Sequence, residues 1–269
     1  MTPQALPAAD HEFRGAIRSR YFRAFLAPAP LAVLACGILA NIILHYWAFD
    51  VISERFHWYR DMTMVILGLS VDFYLLCLVG LTHHTFQTYA NSGIYRDLRT
   101  AGVRAWDVFR PLLEVLMVLI IADTAIEALL DIVLGHQPAG LAVLGYMLML
   151  VYAFIAALFT GCILVAMNLL RLQLVLQYFA ILTLSFLSLS AVSKMADALQ
   201  PSLHAWNPDK RAGGLMHAIA RLAGAQWNNF SDQYAYYAAL IAEGVLFTVL
   251  SVPLYALVRR ISEARFPKF

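Results

Sequence analysis

The sequence predicts an all-α polytopic membrane protein with six transmembrane helices, on three observations. Of 269 residues, 61% are hydrophobic and 13% are charged, against roughly 45–50% and about 25% in soluble domains. A water-soluble fold could not hide that much apolar surface. The apolar residues fall into six runs of the ~20 residues that a helix needs to cross the hydrocarbon core. None alternates with the period of two that a barrel strand requires. The net charge of +2 is too small to argue for a nucleic-acid partner. The three cysteines, Cys36, Cys77 and Cys162, all lie in apolar runs and read as small core residues rather than a disulfide framework.

Residues 1–27 form a polar N-terminus. Within it Phe13, Ile17, Tyr21 and Phe25 recur every four positions, with Arg14, Arg18, Arg20 and Arg23 between them. That pattern predicts a basic amphipathic helix lying on the cytoplasmic membrane surface. It lacks a cleavable signal pattern and is expected to stay attached. The transmembrane domain then covers 28–258. Its spans are expected near Pro28–Phe49, Met62–Thr82, Val108–Leu134, Leu141–Leu170, Leu172–Val192 and Tyr236–Val258. Residues 259–269 form a cytoplasmic tail.

Orientation follows from Lys and Arg. With the N-terminus inside, thirteen basic residues fall on the inner segments and six on the outer ones. Both termini are therefore expected in the cytoplasm.

Two connections stand out. In 88–107, Asn91, Ser92 and Gly93 break the second span helix, and Ile94–Thr100 is expected to form a short polar helix ended by Ala101 and Gly102. The outside segment 193–235 is long and partly apolar. Short helices separated by Pro201, Trp206-Asn207-Pro208 and Gly213-Gly214 predict a re-entrant hairpin between spans five and six.

Chemistry-bearing motifs are few. The chain has no Gly-x-x-x-x-Gly-Lys-Ser/Thr phosphate loop, no His-Glu-x-x-His, no Cys-x-x-Cys and no Gly-x-Ser-x-Gly. No catalytic residue and no metal ligand is therefore assigned. His83 and His84 read as interfacial. Asp123, Glu127 and Asp131 are spaced by four and share one face of the third span. Acids in a membrane raise a functional question by default. A proton relay is one reading, a polar vestibule or partner-helix face the other. Arg110 and Glu114, four apart, can pair, with Asp107 near. Asp72 is alone in the second span. Tyr46 sits with other aromatics at a span end, whereas Tyr74, Tyr146, Tyr152 and Tyr178 lie deeper and could line a polar path and stack on sugar rings, or simply pack in the bundle.

The order of these pieces resembles the transmembrane subunit of a type-2 ABC exporter, above all the capsule and O-antigen polysaccharide permeases. The resemblance is carried by RSRYFRAFLAPAPLAVL (Arg18 to Leu34), by ANSGIYRDLRTAGVRAWDVFRPLLEVL (Ala90 to Leu116), and by Trp206-Asn207-Pro208 followed by His217 and Arg221. The family's Gly-x-Leu-Trp before the first-span proline is absent. So is its acidic residue between His217 and Arg221, and Asp209 to Gly214 are extra, which marks a divergent member.

The resemblance implies a homodimeric channel in the bacterial inner membrane. A separate ABC ATPase subunit would supply ATP and Mg, so this chain itself would hold no cofactor and perform no bond chemistry. Ile94, Tyr95, Arg96, Asp97 and Leu98 would form the coupling helix seated on that ATPase. Arg14, Arg18, Arg20, Tyr21 and Arg23 would form the interface helix. Trp206, Asn207, Pro208, His217 and Arg221 would form the re-entrant element. A polysaccharide or glycolipid would pass Tyr46, Asp72, Tyr74 and Tyr178, toward outer-envelope export proteins. Two rivals stand beside it: an exporter of a lipid or drug, and a proton-coupled carrier or membrane enzyme using the acids of the third span.

Overall fold

A computed structural model describes residues 5–43, 59–134, 139–205 and 227–266, without certain side chains inside the helices. Among the expected site residues, Tyr46, Trp206, Asn207, Pro208, His217 and Arg221 lie outside the described residues, as do the side chains of Asp72, Glu127 and Asp131. The described residues are helical: α1 (Ala5–Phe25), α2 (Pro28–Ile42), α3 (Tyr59–Asn91), α4 (Ile94–Thr100), α5 (Ala105–Leu134), α6 (Ala139–Leu169), α7 (Leu174–Ala205) and α8 (Trp227–Arg265).

Neighbouring helices pack in the order α2, α3, α7, α8, α6, α5 and α1, and α3 also touches α6 across the bundle. The core lies where α3, α5 and α6 meet, with Leu78, Val79, Leu112, Val115, Leu116, Leu164 and Val165 all buried. Gly161 permits the tight α5–α6 approach. A methyl group there would come within 2.8 Å of Leu113 Cδ1, and small residues let membrane helices close to this distance.

The outer faces are apolar rather than polar. Phe179 is 70% exposed, Val175 74% and Val252 70%. Water would penalise such a surface, and lipid would not. Among the described residues two stretches, Leu150–Leu169 and Ile241–Arg265, are long and apolar enough to cross a membrane. Phe13–Phe25 and Pro28–Ala40 make a third if the pair, bent by 63°, is counted as one span. The bend is local in origin. Pro28 opens α2 and holds Ala27 extended, at φ −61° and ψ 151°.

Three expectations need correction. Met195 to Leu199 do not form a separate helix after the fifth span, because α7 continues to Ala205. That stretch holds good helix formers and no glycine, and Pro201 sits four residues from the helix end, where the missing donor disturbs only the last turn. Likewise α8 begins at Trp227, ahead of the expected start at Tyr236. Cys36 is exposed rather than a core residue. On α2 it is Leu34 and Gly37 that turn inward, with Gly37 against Tyr74 and Cys77 of α3.

Candidate functional site

The break between α3 and α5 is built by two glycines. Gly93 and Gly102 both take φ +78°, the left-handed region, one before α4 and one after it. A residue with a Cβ is strained there. Between them the seven residues of α4 are too few to be stable alone. Their anchor is Tyr95, which is 1% exposed. Its ring lies 5.3 Å from Phe86 of α3, 5.4 Å from Phe109 of α5 and 6.5 Å from Phe266 beyond α8. Tyr21 of α1 reaches the same cluster, stacking on Tyr89 at 5.5 Å and meeting the Tyr95 hydroxyl at 3.5 Å. Burial pushes the Tyr21 and Tyr95 phenols well above the ordinary tyrosine range, so the cluster is neutral and apolar in character.

Arg96 and Asp97 are exposed, with side chains 68% and 74% accessible, and Ile94 and Leu98 are half-buried. Of the five expected coupling residues, Tyr95 is the buried anchor, Leu98 packs partly buried against the same core, Ile94 is half-buried, and Arg96 and Asp97 form an outward charged pair.

Helix α1 is fixed beside this loop by ion pairs to α5. Arg14 meets Asp107 at 2.9 Å and Arg18 meets Glu114 at 2.5 Å, while Arg110 holds Glu114 from its own helix at 3.0 Å. The Arg110–Glu114 pair expected from spacing is present, and Arg18 is an addition no spacing within one helix could disclose. Each pair is solvent-accessible and contributes about 0–1 kcal/mol, so they set register more than stability. The apolar stripe of α1, expected to lie against the membrane surface, instead turns to the protein core, with Tyr21 and Phe25 buried and Ile17 packed against it.

Four segments far apart in sequence share this end of the bundle: α1, the α4 loop, the α6–α7 turn and the end of α8. Arg171, in the left-handed region at φ 56°, lines a small cavity with Gln87, Ala90 and Asn91. His83 Nδ1 accepts from Gln177 Nε2 at 3.0 Å, a bond that ties α3 to α7. No group of three or more metal-binding side chains occurs among the described residues.

The expected path residues divide. Tyr74 is buried and donates to the Leu119 carbonyl at 3.2 Å, so it joins α3 to α5. Tyr178 is half-buried and borders an open groove with Val33, Phe73, Leu76 and Leu182. Its hydroxyl occupies the space beside Gly80 that a methyl group would fill. Of the third-span acids, Asp123 is buried.

One polar cluster carries more than the sequence discloses. Glu243 of α8 is 4% exposed. Its carboxylate accepts from Tyr152 of α6 at 2.7 Å and from Ser188 of α7 at 2.6 Å. The acid is visible in the sixth span, but its donors lie 91 and 55 residues away. Removing it with Glu243→Ala takes the shared carboxylate acceptor from two half-buried hydroxyls, a cost of about 1–3 kcal/mol. Glu243→Gln keeps an acceptor and is expected to lose less. Thermal unfolding in detergent checks this, and an unchanged midpoint for Glu243→Ala would deny the cluster a structural role.

No family model, no curated protein and no solved structure matches the chain.

Proposed function

We propose that this chain is the channel-forming subunit of an ATP-driven type-2 ABC exporter that moves a lipid-linked polysaccharide across the bacterial inner membrane. The observation that carries the reading is α4. It is a short helix between two left-handed glycines, pinned from behind by Tyr95, with Arg96 and Asp97 turned outward. A lever must be stiffly joined to the bundle and expose a polar face to its driver, and α4 meets both conditions. The sequence resemblance assigns the same segment to ATPase docking. The absence of a phosphate loop from the sequence agrees, because the energy then comes from another chain.

In this reading α2, α3, α5, α6, α7 and α8 are six spans, and both termini are cytoplasmic. The gathering of α1, α4, the α6–α7 turn and the end of α8 at one end of the bundle supports that parity. Two copies form the channel. ATP closes the ATPase pair, α4 follows, and the bundle repacks between two states.

A second reading, export of a lipid or drug, draws support from the groove at Tyr178. Its walls are apolar and it is open to the side, which suits an acyl or isoprenoid chain better than a sugar. A lipid-linked glycan would use both kinds of surface.

The test is co-expression with an ABC ATPase of the polysaccharide-export type. The expected result is a stable complex whose ATP hydrolysis rises with the appropriate lipid-linked glycan. A chain that purifies without any nucleotide-binding partner, and exports without one, would sink the assignment.

A further inference from the structure

The basic residues of α1 fall on two flanks. Arg14 and Arg18 turn to the acids of α5. Arg20 and Arg23, three apart on another flank, are exposed, and neither pairs with a carboxylate among the described residues. Arg23 Nε donates only to the Ser19 carbonyl at 3.4 Å. Both lie beside Tyr89, whose hydroxyl donates to the Arg20 carbonyl at 3.4 Å. Burial raises that phenol, and the two guanidinium charges pull it back. The pair stands just before the 63° turn into α2. Immediately beyond it Leu26 and Leu31 are each 48% exposed.

A pair of unneutralised cations at the level where a surface helix becomes a span, with an apolar track leading away, matches one kind of molecule. Its head is anionic and its tail is a hydrocarbon. We infer that Arg20 and Arg23, with Leu26 and Leu31, form a docking surface for an anionic phospholipid, its phosphate on the guanidinium pair and its chains along α2. The attraction is that of two cationic side chains at the membrane surface, each contributing through its charge. A zwitterionic lipid offers the same phosphate but brings its own cation, which weakens the attraction. The inference requires only that the chain sits in a membrane. It does not depend on transport.

The full chain is purified in detergent with an equal mixture of phosphatidylglycerol and phosphatidylcholine, and retained lipid is read by native mass spectrometry. Wild type is expected to hold phosphatidylglycerol selectively. R20Q/R23Q should lower its retention about twenty-five-fold, since each arginine near an anionic headgroup contributes about five-fold. R20K/R23K should keep most of it. R260Q/R265Q removes the same charge from exposed positions at the end of α8 and should leave retention unchanged. Equal losses in the α1 and α8 pairs would mean general surface attraction and overturn the site. So would undiminished retention in R20Q/R23Q, or a loss in the lysine pair as large as in the glutamine pair. No ATPase enters the readout, so failure here leaves the transport reading where it stood.

Discussion

Replacing Tyr95 by Ala is expected to release α4 from the bundle. The side chain is buried among Phe86, Phe109, Phe266 and Tyr21, and emptying such a site costs about 3–5 kcal/mol. Seven residues do not hold a helix without that contact. Much of the loss should therefore appear as local opening rather than global unfolding. Limited proteolysis at Arg96 and Arg99 and hydrogen exchange over 92–103 measure it directly. Tyr95→Phe keeps the buried ring and gives up the hydroxyl with its 3.5 Å contact to Tyr21, so its loop should stay protected. Equal protection of wild type and Tyr95→Ala would show that the aromatic cluster does not hold the loop.

The double substitution Arg96→Glu, Asp97→Lys tests the outward face of the same helix. Both side chains are solvated, and their mutual distance of 3.8 Å makes no strong pair, so the fold should be within about 0.5 kcal/mol of wild type. In the exporter reading the effect falls on function. Export should drop by at least ten-fold while the protein inserts and the ATPase still turns over. A charge reversal across a docked interface costs several kcal/mol, which is ample for that loss. Normal export by the double variant would remove α4 from the coupling role. The contrast with Tyr95→Ala is the informative part. One variant disturbs the lever's attachment, the other its grip, and only the first should change protection of the loop.

Much of this site was legible in the chain. The glycines around Ile94–Thr100, the fourfold stripe of α1 and the Arg110–Glu114 pair follow from short-range rules, and each has its place in the structure. What spacing could not supply was direction. Tyr95 and Arg96 are neighbours with opposite roles, because a single turn of helix between two fixed points sends adjacent side chains to opposite sides. Tyr74 and Tyr178 carry the same chemistry and are both in apolar helices. One is a buried helix tie and the other borders a groove, a difference made entirely by which helices lie beside them. Pro201 also misled, since proline near a helix end removes too little to stop it.

Composition and hydropathy by themselves determined an apolar, helical chain suited to a membrane, because burial of backbone polar groups and a shortage of charge leave few other solutions. The placement of Gly93 and Gly102 marked the loop between α3 and α5, since left-handed backbone falls to glycine. Only the tertiary structure decided which residues meet. It put Tyr21 beside Tyr95, Arg18 beside Glu114, and Glu243 between Tyr152 and Ser188. Those partners are separated by 55 to 96 residues, and no local pattern specifies pairing over that range. It follows from how whole helices pack, which is a property of all their faces at once.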